Sequence, residues 1–210
     1  MNFAQLSRFE RINVVGSSGS GKSTFARELA GLLGLPCCEM DQLFWKPGWE
    51  EAADEEFFPK VHAVTSGQRW VLDGNYTRTL PDKWQRVQLV IWLDLSILRT
   101  VFRVTKRAID RSLSQQELWP DTGNRETLTK TFLSRDSIIR WAITSYQKNK
   151  KRYRDAIASP DYAHLAFVRL GSAKSVASFL EGVRQVAKNP DAPFPATDPL
   201  LKGTSSLPSR

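Results

Sequence analysis

The chain has two cysteines in 210 residues, and they are neighbours, Cys37 and Cys38. Adjacent thiols make a poor disulfide framework and are too few for a four-thiolate zinc site, so disulfide-stapled and zinc-ribbon classes are set aside. A reducing, cytoplasmic setting is expected. Long apolar runs are also missing. No segment reaches the ~20 residues that cross a bilayer, and no signal-peptide type core precedes Arg11, so neither export nor anchoring is expected. Internal repeats are absent as well. Acidic residues are scarce in one region: Arg99 to Arg154 holds fourteen Lys or Arg against five Asp or Glu, which accounts for the whole net charge of +8. Such a region attracts polyanions, nucleotide phosphates or nucleic acid, unless it is only a set of solvated helix faces.

What is present is 41% apolar, enough for one globular unit with a substantial core. Short apolar runs at Arg11–Val15, Trp70–Leu72, Val87–Leu93 and Leu165–Leu170 read as strands, with Leu35–Glu39 a further candidate. Helical spacing fills the gaps, over Ser23–Leu33, about Glu50–Ser66, Ser96–Arg111, Phe132–Ala158 and Ser172–Ala187. Strand and helix in alternation imply a parallel sheet covered on both faces. From Asn189 onward the chain carries five prolines and little periodicity. Residues 1–188 are therefore expected to form the domain and 189–210 a flexible tail.

Directly after the first strand stands GSSGSGKST, comprising Gly16, Ser17, Ser18, Gly19, Ser20, Gly21, Lys22, Ser23 and Thr24. It satisfies G-x-x-x-x-G-K-[ST] in the context that gives that pattern its meaning, a loop that leaves a strand and opens a helix. Glycines allow backbone N–H groups to turn inward around phosphate oxygens, and the helix N-terminus adds partial positive charge. Lys22 is expected to reach the β- and γ-phosphates of ATP and the Ser23 hydroxyl to ligate Mg²⁺.

Three further stretches accompany it: MDQLFWKPGW, WVLDGNY and VIWLDLSILRTVFRVTKR. Together with the loop, they make residues 12–180 resemble the adenylate-kinase-like P-loop kinases, and within these the group called DNA topology modulation protein FlaR. The resemblance implies a three-layer α/β/α P-loop NTPase fold, with a five-stranded parallel sheet in the order 2-3-1-4-5 and a helical lid after the fourth strand. It also matches Asp73 to the acid of the adenylate kinases' Asp-Gly motif and implies arginines at the base of the lid. The chain departs from true adenylate kinases in reading DGNYTR after the third strand, and it lacks the arginine that holds the α-phosphate of AMP. AMP is therefore not the expected acceptor.

Read from the residues themselves, Asp73 ends a buried strand at the carboxyl edge, where sheets of this kind bind ligands; it either holds Mg²⁺ through water, facing Ser23, or caps the next turn. Arg103 and Arg107 are four apart and share a helix face, so they can converge on a phosphate chain. Asp94 reads as a helix-initiating acid. Residues about 112–131 carry turn signals at Pro120, Asp121, Gly123 and Asn124, as expected of a lid from which Arg125 enters the site, or of an ordinary surface loop. Asp41 should lie just past the second strand, placed to accept a proton or hydrogen bond from an acceptor hydroxyl. Phe44, Trp45 and Trp49 would form a wall beside it, or else fasten the next helix to the sheet. Asn75 and Arg78 are further candidates for holding an acceptor. These readings give a Mg²⁺-dependent kinase acting on a small hydroxyl compound, a nucleoside or a nucleotide; the alternative is a nucleotide-gated DNA-binding protein, although no DNA-reading motif is recognisable.

Overall fold

The computed structural model describes residues 8–114, 117–119, 122–125 and 138–189. Parts of the expected lid, the first residues of the helix expected from Phe132, and the tail from residue 190 lie outside these.

Five strands form one parallel sheet: β1 (Arg11–Gly16), β2 (Cys37–Glu39), β5 (Trp70–Asp73), β6 (Leu89–Leu93) and β7 (Ala166–Leu170), in the order β2-β5-β1-β6-β7. Among the strands of this sheet that is the order 2-3-1-4-5. Parallel pairing sets Val14 opposite both Asp73 and Ile91, so the carboxyl ends of β1, β5 and β6 open on one edge.

Alternation along the strands sorts side chains to two cores, because neighbouring residues point to opposite faces. Ile12, Val14, Leu89, Ile91 and Val168 pack beneath α1 (Lys22–Leu33) and α7 (Ala173–Lys188). Val15, Trp70, Leu72, Val90, Trp92 and Phe167 face α3 (Asp54–Thr65), α4 (Leu80–Arg86) and α6 (Ile138–Ala158). Trp84, 1% exposed, centres the second core. Truncating so large a buried ring costs about 3–5 kcal/mol. α5 (Ile97–Ser114) follows β6 and turns its small residues Thr100, Val104 and Ala108 inward.

Two stretches differ from the sequence-based expectation. The helix expected from about Glu50 begins at Asp54, because Glu50–Glu51 is spent as β4, pairing antiparallel with β3 (Trp45–Lys46) across the Pro47–Gly48–Trp49 turn. Asp54, Glu55 and Glu56 then occupy the first turn of α3, where carboxylates suit the helix dipole. α2 (Met40–Phe44) and α4 were not expected at all. Five and seven residues are too few for a helical period to emerge, and Pro81 disguises α4.

Candidate functional site

The loop from Gly16 to Thr24 curls over the end of β1. Ser20 N–H donates to the Ser17 carbonyl at 3.1 Å, and Lys22 Nζ crosses the loop to that same carbonyl at 3.2 Å. Gly19 lies at φ +78° against α5, where a Cβ would come within 2.4 Å of Val104 Cγ2. Only glycine permits that approach. Arg103 reaches the loop from α5, donating from Nη1 to the Ser20 carbonyl at 3.4 Å, and Arg107 lies half-buried one turn on.

The loop is anchored by the turn after β5. Asn75 accepts from Gly16 N–H at 3.0 Å and donates to the Gly16 carbonyl at 2.8 Å, so it holds the loop's first residue by both backbone groups. Tyr153 of α6 donates its hydroxyl to the same Asn75 oxygen at 2.8 Å. Below the turn, Lys83 is fully buried and donates to the carbonyls of Asn75 (2.7 Å) and Gly74 (3.4 Å), with Met40 Sδ at 3.5 Å. Burial pushes the Lys83 ammonium down from 10.5 to about 7, against the pull of Asp73. Asn13 completes the support. It donates to the Leu72 carbonyl at 2.9 Å and accepts from Trp84 Nε1 at 2.9 Å.

Asp73 sits at the mouth of this framework, 5% exposed. Burial raises its carboxyl from 3.8 to about 6, with Asp41 and Glu39 adding to the rise, while Lys22 and a hydrogen bond with Ser23 oppose it. Its Oδ1 has no hydrogen-bond partner. A buried carboxylate oxygen left open, with a serine hydroxyl on its other side, suits a hard cation such as Mg²⁺. No cluster of three or more His, Cys, Asp or Glu suited to a metal occurs among the described residues.

Asp41, exposed in the first turn of α2, accepts from the Tyr76 hydroxyl at 2.6 Å. Burial and the neighbouring Asp41 carboxylate drive the Tyr76 phenol well above its ordinary range. Phe44 turns inward, 6% exposed, against Phe57 and Tyr76, so the wall read from the sequence reduces to Trp45 and Trp49. These two meet a third ring, Trp119, with centroids 6.4 Å and 5.7 Å away. Asn124, 1% exposed, donates to the Lys46 carbonyl and accepts from Trp49 N–H, both at 2.9 Å, and so ties segment 117–125 to the β3–β4 hairpin.

Other candidates stand apart from the loop. Arg78 pairs with Asp54 at 2.7 Å and lies over the Phe44 ring. Arg125 is exposed, its backbone bridged to Glu117. Asp94 is an ion-pair partner rather than a helix cap: Arg169, opposite Trp92 on β7, reaches its carboxylate with Nε at 2.8 Å. Sequence reasoning missed Tyr76, Lys83, Trp119, Asn124 and Tyr153. Only Tyr76 carried a local signal, its place next to Asn75. A groove of about 490 Å³ between α4 and α6, lined in part by Trp84, Arg152 and Tyr162, contains none of the candidate residues.

No protein-family model matches the chain, and no curated protein matches it. Among solved structures, it is similar to a gluconokinase from Sinorhizobium meliloti 1021 (19% identity, 87% of this chain and 96% of the other, TM-score 0.45). It is also similar to a shikimate kinase from Acinetobacter baumannii in complex with shikimate (20% identity, 88% and 92%, TM-score 0.49). A third similar structure is a sugar kinase from Janibacter sp. HTCC2649 (16% identity, 85% and 92%, TM-score 0.45).

Proposed function

We propose that the chain is a Mg²⁺-dependent P-loop kinase that transfers the γ-phosphoryl group of ATP to the hydroxyl of a small acceptor. One observation carries this reading: the Gly16–Thr24 loop, Asp73 and Asp41 all lie at or just past the carboxyl ends of neighbouring parallel strands, with Lys22 and Asp41 both acting on the Asp73 carboxyl. The backbone N–H groups of the loop and Lys22 hold the β- and γ-phosphates, and Arg103, already against Ser20, offsets charge on the transferring oxygens with Arg107 behind it. Ser23 and Asp73 would hold Mg²⁺, which neutralises phosphate charge when bound. Asp41 takes the hydroxyl proton as the acceptor oxygen bonds to the γ-phosphorus and the bond to the β-bridging oxygen breaks, releasing ADP. Trp45 and Trp49 border the acceptor space, and residues about 112–131 form the lid, with Arg125 entering on closure. Asn75 serves the donor end as the clamp on Gly16, and Arg78 braces the acceptor end through Asp54.

The reading extends to an adenylate-kinase-like subtype of the FlaR-related group and to a cytoplasmic location; no described helix is long and apolar enough to cross a membrane. ADP release measured over a panel of hydroxyl compounds, in wild type and Lys22→Ala, tests it. Acceptor-dependent release that vanishes in the variant is expected; equal release by both proteins contradicts the assignment. A duplex DNA titration at two salt concentrations, with and without ATP, separates off the DNA-binding alternative, which requires tight, nucleotide-modulated binding.

A further inference from the structure

The two ends of the crevice differ in charge. Between Glu39 and Glu56 the sequence has seven carboxylates and one cation, Lys46, in a protein whose net charge is +8. The few cations on this side are already engaged. Lys46 pairs with Glu50 at 3.1 Å and Glu56 at 3.3 Å, Arg78 with Asp54 at 2.7 Å, and Arg27 with Glu39 at 2.8 Å. Asp41 and Glu51 keep no cationic partner among the described residues. The Tyr76 hydroxyl donates to Asp41 at 2.6 Å, and Glu51 and Asp73 lie near enough to act on the same phenol, so Tyr76 marks a volume bordered by carboxylates. At its inner end Asp73, 5% exposed, presents the unpartnered Oδ1.

The outer wall of that volume is aromatic. Glu51 lies directly across the hairpin from Trp45, which meets Trp49 edge-on at 5.6 Å, and Trp119 completes the group. Indole faces bordered by carboxylates attract a cation by the ring quadrupole and by charge together, and they repel an anion on both counts. A phosphate or carboxylate group on the acceptor would meet carboxylates there, beside cations already paired at Lys46, Arg78 and Arg27.

We propose that the acceptor is a hydroxyl compound carrying an ammonium group, seated against Trp45, Trp49 and Trp119 between Asp41 and Glu51, with its hydroxyl turned to Asp41. This rests on the kinase reading for the hydroxyl, but the charge preference stands on the carboxylates and rings alone.

The test uses three probes of similar shape and different charge: glucosamine, glucose and gluconate. Tryptophan emission of the full chain is titrated with each, with saturating MgADP present so that the phosphate seat cannot take up the anion. Glucosamine is expected to bind at least about tenfold more tightly than gluconate, with glucose between them. Raising the ionic strength narrows the gap, and Glu51→Gln weakens glucosamine about threefold while leaving glucose unchanged. Nonspecific attraction works against this outcome, because the whole protein is positive and favours gluconate. Absence of discrimination, no saturable binding of glucosamine, or tighter binding of gluconate overturns the proposal. Phosphoryl transfer is scored separately. Cation-selective binding in a protein that releases no ADP with any acceptor would defeat the kinase reading and leave the charge preference standing.

Discussion

In the proposed kinase, the donor and acceptor ends of the crevice are built from different materials. At the proposed donor end, backbone N–H groups of Gly16–Thr24 are the groups assigned to the ligand, and side chains support them from behind: Asn75 on Gly16, Lys83 beneath Asn75 and Tyr153 beside it. At the proposed acceptor end, the groups assigned to the ligand are side chains on short elements, Asp41 on a five-residue helix and Trp45 and Trp49 on a two-stranded hairpin. Backbone geometry fixed from behind serves a constant ligand such as a triphosphate. Side chains on a small hairpin can be exchanged without disturbing the sheet, which is how one fold takes different acceptors.

The largest effect expected from this contrast comes from removing the one side chain that crosses the donor loop. Lys22→Ala should lower turnover by at least about 10²-fold while the melting temperature stays within the small range typical of surface changes. Substantial residual turnover would show that the loop's backbone suffices without its lysine. At the other end, Asp41→Asn should reduce turnover by about 10²-fold and leave MgATP affinity unchanged, measured by titration calorimetry. If nucleotide affinity fell as well, the two ends would not be separable.

A third comparison concerns the support behind the loop. The Lys83 ammonium is held near 7 in the folded chain and returns to 10.5 on unfolding, so the unfolded chain binds more protons between those values. Stability should therefore climb as pH rises from about 7 toward 10.5, and the full burial penalty should be present below pH 7. Lys83→Met should flatten that climb in denaturant melts taken across the window. A climb left intact would place its origin elsewhere. The smallest effect is expected at the acceptor end, where Asn124→Ala removes two hydrogen bonds between segment 117–125 and the hairpin. About 1–2 kcal/mol of local stability should be lost, read as faster proteolysis of that segment with little change in global melting.

The same contrast governs how much was legible in the sequence. The place of the Gly16–Thr24 loop could be read because glycines, a lysine and a hydroxyl at that spacing are expected between a strand and a helix, where β1 and α1 put it. The parallel sheet could be read because both faces of its strands are buried, leaving near-continuous apolar runs. The acceptor end was legible only as a carboxylate with aromatics beside a turn. Periodicity could not reveal that Phe44 turns fully into the core while Trp45 stays half-buried at its edge, since a hairpin of two-residue strands has no period. Lys83 gave no signal, because a buried lysine and a surface lysine look alike in sequence; only the carbonyls of Gly74 and Asn75 around its ammonium distinguish them. Asn124 pairs with a hairpin some 75 residues away, and no local pattern encodes such a contact.

The central claim is that the loop and Asp41 open on one crevice, with the triphosphate directed toward the carboxylate. A crystal structure of the chain with Mg²⁺ and a non-hydrolysable ATP analogue tests this most directly. The account predicts the γ-phosphate within reach of Lys22 Nζ, Mg²⁺ between Ser23 and Asp73, and the open face of the phosphate turned toward Asp41. A nucleotide seated elsewhere, such as in the groove between α4 and α6, or a γ-phosphate directed away from Asp41, would contradict it.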